Sequence, residues 1–359
     1  MTIQSIISEL ILNTGKFILK MFFKNFMIKN QFSIPLIFIL MISFSGCGLL
    51  MIGLENSGRV IFNSPEPVTK GLKDPVKSNV KFSVHWAGHS STLIQIYDKV
   101  ILLDPVFNDV ISGVMLRTKE AAISVDKLSK LDLILVSHAH MDHLSISTLS
   151  DLEKKFPKAK LVFPEGTEEF LPGYDFEFVR LKTGNSSKSN FTGGYKIMDS
   201  VKVTAVFASH FGGRFGFDSY LWNMPGCTGY IIEYKDVIVF YAGDTIYDKE
   251  AFKYLGKKYK IDLAIIPVGP CRDCEEIDNF KHVTSYGALL MFDDLKAGYM
   301  LPVHYGAIQY RTDSDYPLTV LKELIENKDR IKTDNLLTDS YKDKVIILDE
   351  GEQFVFEYR

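Results

Sequence analysis

The chain is poor in cysteine, with four in 359 residues, at positions 47, 227, 271 and 274. That count excludes a small scaffold in which disulfides replace a hydrophobic core. It lacks an arginine-rich run and any basic excess, the formal net charge being −3. The electrostatic footprint of a nucleic-acid binder is therefore missing, and no nucleic-acid partner is expected. Internal repeats and low-complexity tracts are absent too. What remains is a chain 46% hydrophobic, with both charge signs spread along it. It can bury a sizeable core as one large domain or two small ones.

Long apolar runs are lacking, with one exception near the N-terminus. Residues 1–31 carry Lys16, Lys20, Lys24 and Lys29 against the single acid Glu9. Phe32 to Leu54 follows without any charge, roughly the 20 residues that span a bilayer as a helix. Basic residues before such a run favour an inside N-terminus and an exported C-terminal part. Two readings stay open: a signal-anchor helix, or a lipoprotein signal in which Phe44-Ser45-Gly46-Cys47 resembles a relaxed lipobox and Cys47 bears the lipid. Either makes the protein membrane-associated. Residues 55–80, with Pro65, Pro67 and Pro75, read as an extended linker, and 81–359 as the globular domain.

The domain is organised around His138-Ala-His140-Met-Asp142-His143. The chain has only eight histidines, and three of them fall in this hexapeptide. Imidazole nitrogens beside a carboxylate suit zinc and similar cations. On a loop at a strand's end, His138 and His140 can face one way and Asp142 and His143 the other, serving two neighbouring metals. The apolar run Leu131 to Val136 supplies that strand.

Other predicted strands end in the same kind of residue. Lys81–Trp86, Ser91–Tyr97 and Val100–Leu103 read as strands, the last ending in Asp104-Pro105. Asp104 is placed to orient a ligand histidine from behind. Val201–Phe207 leads to His210 and the aromatic, glycine-rich Phe211-Gly-Gly-Arg214. Cys227–Glu233 and Val237–Tyr241 read as a strand pair, the second leading to Asp244. Tyr299–Val303 ends in His304. Lys160–Phe163, Leu263–Ile266, Lys344–Leu348 and Gln353–Tyr358 complete the strands. Helices are expected over Ser147–Phe156, Thr284–Phe292 and Leu318–Asn327. Cys271-Arg-Asp-Cys274 fits a local disulfide or two plain thiols; a structural zinc would want four ligands, and only Cys227 is left over. His85 and His89 read as braces of the sheet end.

Asp104, His138-x-His140-x-Asp142-His143, His210, Asp244 and His304, in this order, resemble the metallo-β-lactamase superfamily over roughly Lys81 to Gln309. The resemblance implies an α/β fold, a four-layer αββα sandwich with the metals at one edge of two facing sheets. His85-Trp86-x-Gly88-His89, Leu103-Asp104-Pro105, Leu221-Trp222, Tyr241-Ala-Gly-Asp244-Thr245, Pro267-Val-Gly269 and His304-Tyr-Gly narrow it. They are similar to the branch containing N-acyl-phosphatidylethanolamine-hydrolysing phospholipase D and the ascorbate-phosphate lactonases. Two departures are Tyr305, where the phospholipase relative usually has Trp, and the cysteines after Gly269.

The resemblance implies two divalent metal ions, zinc by ligand type. One is held by His138, His140 and His210, the other by Asp142, His143 and His304, with Asp244 bridging. It further implies a hydrolase using a hydroxide shared by the pair, with Asp142 or Asp244 as proton acceptor and His282 as proton donor. Arg214 and Trp222 are the substrate-binding candidates. The favoured substrate is a phospholipid phosphodiester at a membrane, cleaved in the phospholipase D manner. A lactonase or carboxylic-ester hydrolase is the alternative, and a non-catalytic metal-binding envelope protein a further one. A homodimer is compatible with all three.

Overall fold

The computed structural model describes residues 56–186, 190–214, 226–279, 281–309, 313–326 and 341–357. The apolar run 32–54 lies outside them. Among the described residues, no helix is long and apolar enough to cross a membrane.

Strands β1 (Phe82–Trp86), β2 (Thr92–Ile96) and β3 (Lys99–Leu103) form an antiparallel meander. A small hairpin follows, β4 (Val110–Ile111) with β5 (Met115–Leu116). Next come β6 (Leu133–Leu135), helix α1 (Ile146–Lys155), β7 (Lys160–Pro164) and β8 (Glu177–Leu181). Strands β3, β6, β7 and β8 run parallel. Strands β9 (Thr192–Met198), β10 (Val201–Val206), β11 (Gly229–Tyr234) and β12 (Val237–Tyr241) are antiparallel neighbours. Helix α2 (Lys249–Lys258), β13 (Leu263–Pro267) and a hairpin of β14 (Asp278–Asn279) and β15 (His282–Val283) lead to helix α3 (Ser285–Leu295). Then come β16 (Tyr299–Val303), α4 (Tyr316–Glu326) and β17 (Gln353–Val355). The sheets have the orders β17-β1-β2-β3-β6-β7-β8 and β16-β13-β12-β11-β10-β9.

Side-chain alternation explains the layers. In β3, Ile101 and Leu103 join the core between the sheets, while Val100 and Leu102 join the cluster beneath α1. In β6, Leu133 and Leu135 face one way and Ile134 the other. A strand buried on both faces must be apolar at nearly every position, which is why β6 reads as one apolar run. Leu149 and Leu152 of α1 pack on the outer cluster. Phe252 and Leu255 of α2 and Leu289 of α3 join the core that carries β13. The result is an αββα sandwich. Ser145, Asp248 and Thr284 cap α1, α2 and α3 by accepting from the amides of Thr148, Ala251 and Gly287. Each satisfies a donor that the first helical turn leaves open.

Several elements differ from the sequence expectation. Helix α2 and strands β8 and β9 were not foreseen. Lys344–Leu348 is not a strand; it makes one bridge, Met300 to Val345. Residues 55–80 begin with a helical turn at 56–62, and the part after it is tied down rather than free. The Glu66 amide donates to the Thr118 carbonyl at 2.9 Å. Lys70 pairs with Asp349 and Glu352, both at 2.7 Å, and Gln353 donates to the Pro75 carbonyl. Cys271 and Cys274 are joined by a local disulfide. Cys227 is free and buried, its thiol 3.2 Å from the Asp244 carbonyl oxygen.

Candidate metal centre

The strand register brings the candidates to one edge. Trp86, Thr92, Leu103 and Leu135 are successive cross-strand partners. The residues just beyond them are Gly88-His89, Asp104 and the loop from Ser137 to His143. On the facing sheet, Val206 and Tyr241 precede His210 and Asp244, and Val303 pairs with Pro267 immediately before His304. Gly243, at φ +59°, lets the chain turn here, and a Cβ at this position would come within 2.7 Å of Ser137 Cβ. Only glycine suits that combination.

Two groups of donor atoms form. In the first, His138 Nε2 lies 2.9 Å and His210 Nε2 3.3 Å from His140 Nδ1. In the second, His143 Nε2 and His304 Nε2 are 3.1 Å apart, and Asp142 Oδ2 is 3.8 and 3.7 Å from them. Asp244 Oδ2 stands between the groups. It is 3.1 Å from His304, 3.2 Å from His143, 3.3 Å from His282, 3.8 Å from His210 and 3.9 Å from His138. One carboxylate oxygen cannot accept five imidazole hydrogen bonds. Lone pairs converging at this spacing suit a cation instead, since tetrahedral ligands 2.0–2.2 Å from zinc lie about 3.4 Å apart. Asp244 Oδ1 is also buried without a hydrogen-bond partner. The donor set therefore fits divalent-cation binding.

Electrostatics separate the groups. Burial, reinforced by neighbouring histidines, holds His138 and His210 well below the ordinary imidazole range, and burial takes His140 down to about 4. These rings are neutral at pH 7, as ligands must be. Burial would also lower His143, but Asp244, Asp142 and Asp104 outweigh it and hold the ring well above the ordinary value. A cation binding there takes the place of a proton.

Asp104 lies behind His143 and is completely buried. Its Oδ1 accepts the Ser137 amide at 2.6 Å. Its Oδ2 accepts the Ser137 hydroxyl at 2.6 Å, His143 Nδ1 at 2.6 Å and the Tyr241 hydroxyl at 2.5 Å. This fixes the tautomer of His143 and leaves Nε2 as its donor atom.

The other candidates fall differently. His282, on β15, faces Asp244 from the rim with 17% of its side chain exposed. Arg214 Nη1 donates to the Ala139 and Leu144 carbonyls at 3.2 and 3.0 Å. In this arrangement the guanidinium braces the ligand loop. Trp222 lies outside the described residues, as do Phe215, Phe217 and Met224. Tyr305 packs on Trp86, ring centroids 4.7 Å apart. His89, read as a brace, lies 3.0 Å from Asp142 Oδ2 and groups with Asp142, His143 and His304. Its only sequence signal was Gly88-His89 at a strand end.

A family model described as a beta-lactamase superfamily domain matches residues 99–305. An uncharacterised protein of Mycobacterium tuberculosis is 26% identical over 238 residues, covering 64% of this chain and 60% of that protein. The chain thus spans less than two thirds of that relative's length. N-acyl-phosphatidylethanolamine-hydrolysing phospholipase D 1 of Caenorhabditis elegans is 24% identical over 296 residues, 79% of this chain and 80% of the relative. A metallo-hydrolase structure from the archaeon Ignicoccus hospitalis superposes with a TM-score of 0.53 at 19% identity, over 77% of this chain and 99% of that one. The chain belongs to the metallo-β-lactamase superfamily, in a branch that resembles the N-acyl-phosphatidylethanolamine-hydrolysing phospholipases D.

Proposed function

We propose that the protein is a metal-dependent hydrolase with a dinuclear, zinc-type centre acting on a phospholipid phosphodiester. The observation that carries the hydrolase reading is Asp244 Oδ2, within 3.9 Å of histidines from both donor groups. His138, His140 and His210 would hold one ion, Asp142, His143 and His304 the other, with Asp244 shared. When bound, two such cations supply an activated water and positive charge beside the oxygen on which charge develops.

The chain's own residues do the rest. Asp244 keeps Oδ1 buried and without a hydrogen-bond partner, so it is the better of the two candidate proton acceptors. Asp142 Oδ2 already faces His89 at 3.0 Å. His282 sits at the exposed rim, where its ring can carry a proton to a leaving alkoxide. The substrate class is supported by the likeness to the C. elegans phospholipase. It is also supported by the charge-free run Phe32 to Leu54, which would hold the domain at a membrane, with the domain exported.

The test is incubation of the zinc-loaded protein with N-acyl-phosphatidylethanolamine in mixed micelles, following phosphatidic acid by mass spectrometry. Asp244→Asn should fold, judged by circular dichroism, and lose at least about 1,000-fold in turnover, on the scale of losing a catalytic metal's charge stabilisation. Activity of that variant equal to wild type would sink the mechanism. No phosphatidic acid from a chain holding two ions would move the substrate to a lactone or other carboxylic ester.

A further inference from the structure

We infer that His89 is a positioning residue that sets the affinity of the second cation site, acting through Asp142 rather than as a ligand. The inference rests on the dinuclear reading above. His89 is 1% exposed and stands in the left-handed region at φ +53°, after Gly88 at φ +99°. The turn is closed by two backbone bonds, from the Ala87 amide to the Ser91 carbonyl and from the Ser91 amide to the Gly88 carbonyl. Its rear is filled: a Cβ on Gly88 would meet Arg117 Nη2 and Glu350 Oε1, each at 2.6 Å.

From that turn His89 reaches two ligands of the same ion. Its ring Nε2 is 3.0 Å from Asp142 Oδ2. Its carbonyl accepts the His304 amide at 3.1 Å and Trp86 Nε1 at 2.8 Å. One residue thus fixes a carboxylate from the β6 loop and the backbone of a histidine from the β16 loop. The first donor group is not touched by it.

The tautomer decides between ligand and orienting donor. His89 Nε2 lies at hydrogen-bond distance, 3.0 Å, from Asp142 Oδ2. A neutral ring that donates there carries its proton on Nε2. Its Nδ1, buried without a hydrogen-bond partner, is then a bare acceptor, the lesser penalty. Asp142 is then held with its charge directed at His143 and His304.

The test uses the full-length protein and two readouts. The first is the tautomer, by nitrogen-15 NMR of imidazole-labelled protein, with His89→Asn to assign the signal. A proton on Nε2 supports the inference whatever the number of ions bound, and a proton on Nδ1 overturns it. The second is zinc affinity by chelator competition. Asparagine tolerates the left-handed backbone but is too short to reach Asp142, so His89→Asn should fold normally. It should bind its second ion about 10–100-fold more weakly and leave the first ion's affinity unchanged. Glutamine places an amide N–H near the Nε2 position, so His89→Gln should recover most of the loss. An unchanged second affinity in His89→Asn, or equal losses in both variants, would overturn the inference. A wild-type chain that binds only one ion would refute the dinuclear reading instead, and the tautomer would still report on His89.

Discussion

The two donor groups are built on opposite plans. The first, His138, His140 and His210, is all imidazole, and its supports are light: the Ser137 hydroxyl at 2.9 Å from His138 Nδ1 and the Lys281 carbonyl at 2.8 Å from His210 Nδ1. The second is backed in depth. Asp104 accepts His143 Nδ1 and the Tyr241 hydroxyl besides its two donors from Ser137, His89 faces Asp142, and the Gly88 turn rests on buried Arg117 and Glu350. The first group is assembled from neutral rings; the second keeps its charge imbalance in check through a fixed network. A protein that organises one site and leaves its neighbour to simple coordination should bind the two ions with different affinities.

The sharpest way to break this comparison is to remove its deepest support. Asp104→Asn should weaken the second ion about 10–100-fold, as loss of a ligand's hydrogen-bond partner usually does, and lower activity with it. The first ion should stay. Metal analysis after dialysis, with melting followed by circular dichroism, separates that result from unfolding. Equal loss of both ions would mean that the two groups are one unit.

A mirror-image change strikes the first group. His210→Ala removes a ligand of the first group and should release that ion while the second stays bound. Competition with a zinc chelator on the wild type should likewise show two steps. A single step would erase the asymmetry argued here.

The last test, read in stability rather than in metal affinity, reaches the backing farthest from the metals. Burial pushes the Glu350 carboxyl up from 4.5 to about 7, against the pull of Arg117. The folded chain therefore holds a proton that the unfolded chain has released between those values, and stability falls as pH rises through that window. The full shift corresponds to on the order of 3 kcal/mol. Glu350→Gln should flatten the dependence of the melting temperature on pH between 4.5 and 7. A wild-type curve already flat across that range would remove the buried carboxyl from the account.

Legibility in the sequence followed a physical divide. Strands β3 and β6 were readable because burial on both faces leaves apolar runs, and β1 and β2 because short β-rich segments are set off by turns. The ligand order was readable because each strand stops at a residue whose chemistry is not that of a core. Helix α2 was obscured by its charges; only Ala251, Phe252 and Leu255 are buried along it, although Asp248 announced its start. Strand β9 was hidden by Gly193 and Gly194, needed because a Cβ on Gly193 would lie 1.9 Å from the Lys182 carbonyl oxygen. His89 could not be ranked, because its partner Asp142 is 53 residues away and nothing local signals a contact across that distance. The contacts of Arg214 with the Ala139 and Leu144 carbonyls were equally hidden, lying 75 and 70 residues away along the chain.

The Tyr241 hydroxyl reaches Asp104 from the second sheet, while Ser137 and His143 reach it from the loop that follows the first. The isolated β-bridge of His138 with Cys227 lies in the same place. The site is thus a rivet through both halves of the sandwich, and the sheets cannot slide past each other without dismantling it. Whatever opening admits a bulky substrate must come from the loops at the rim. New specificities could then arise in those loops while the riveted edge stays as it is.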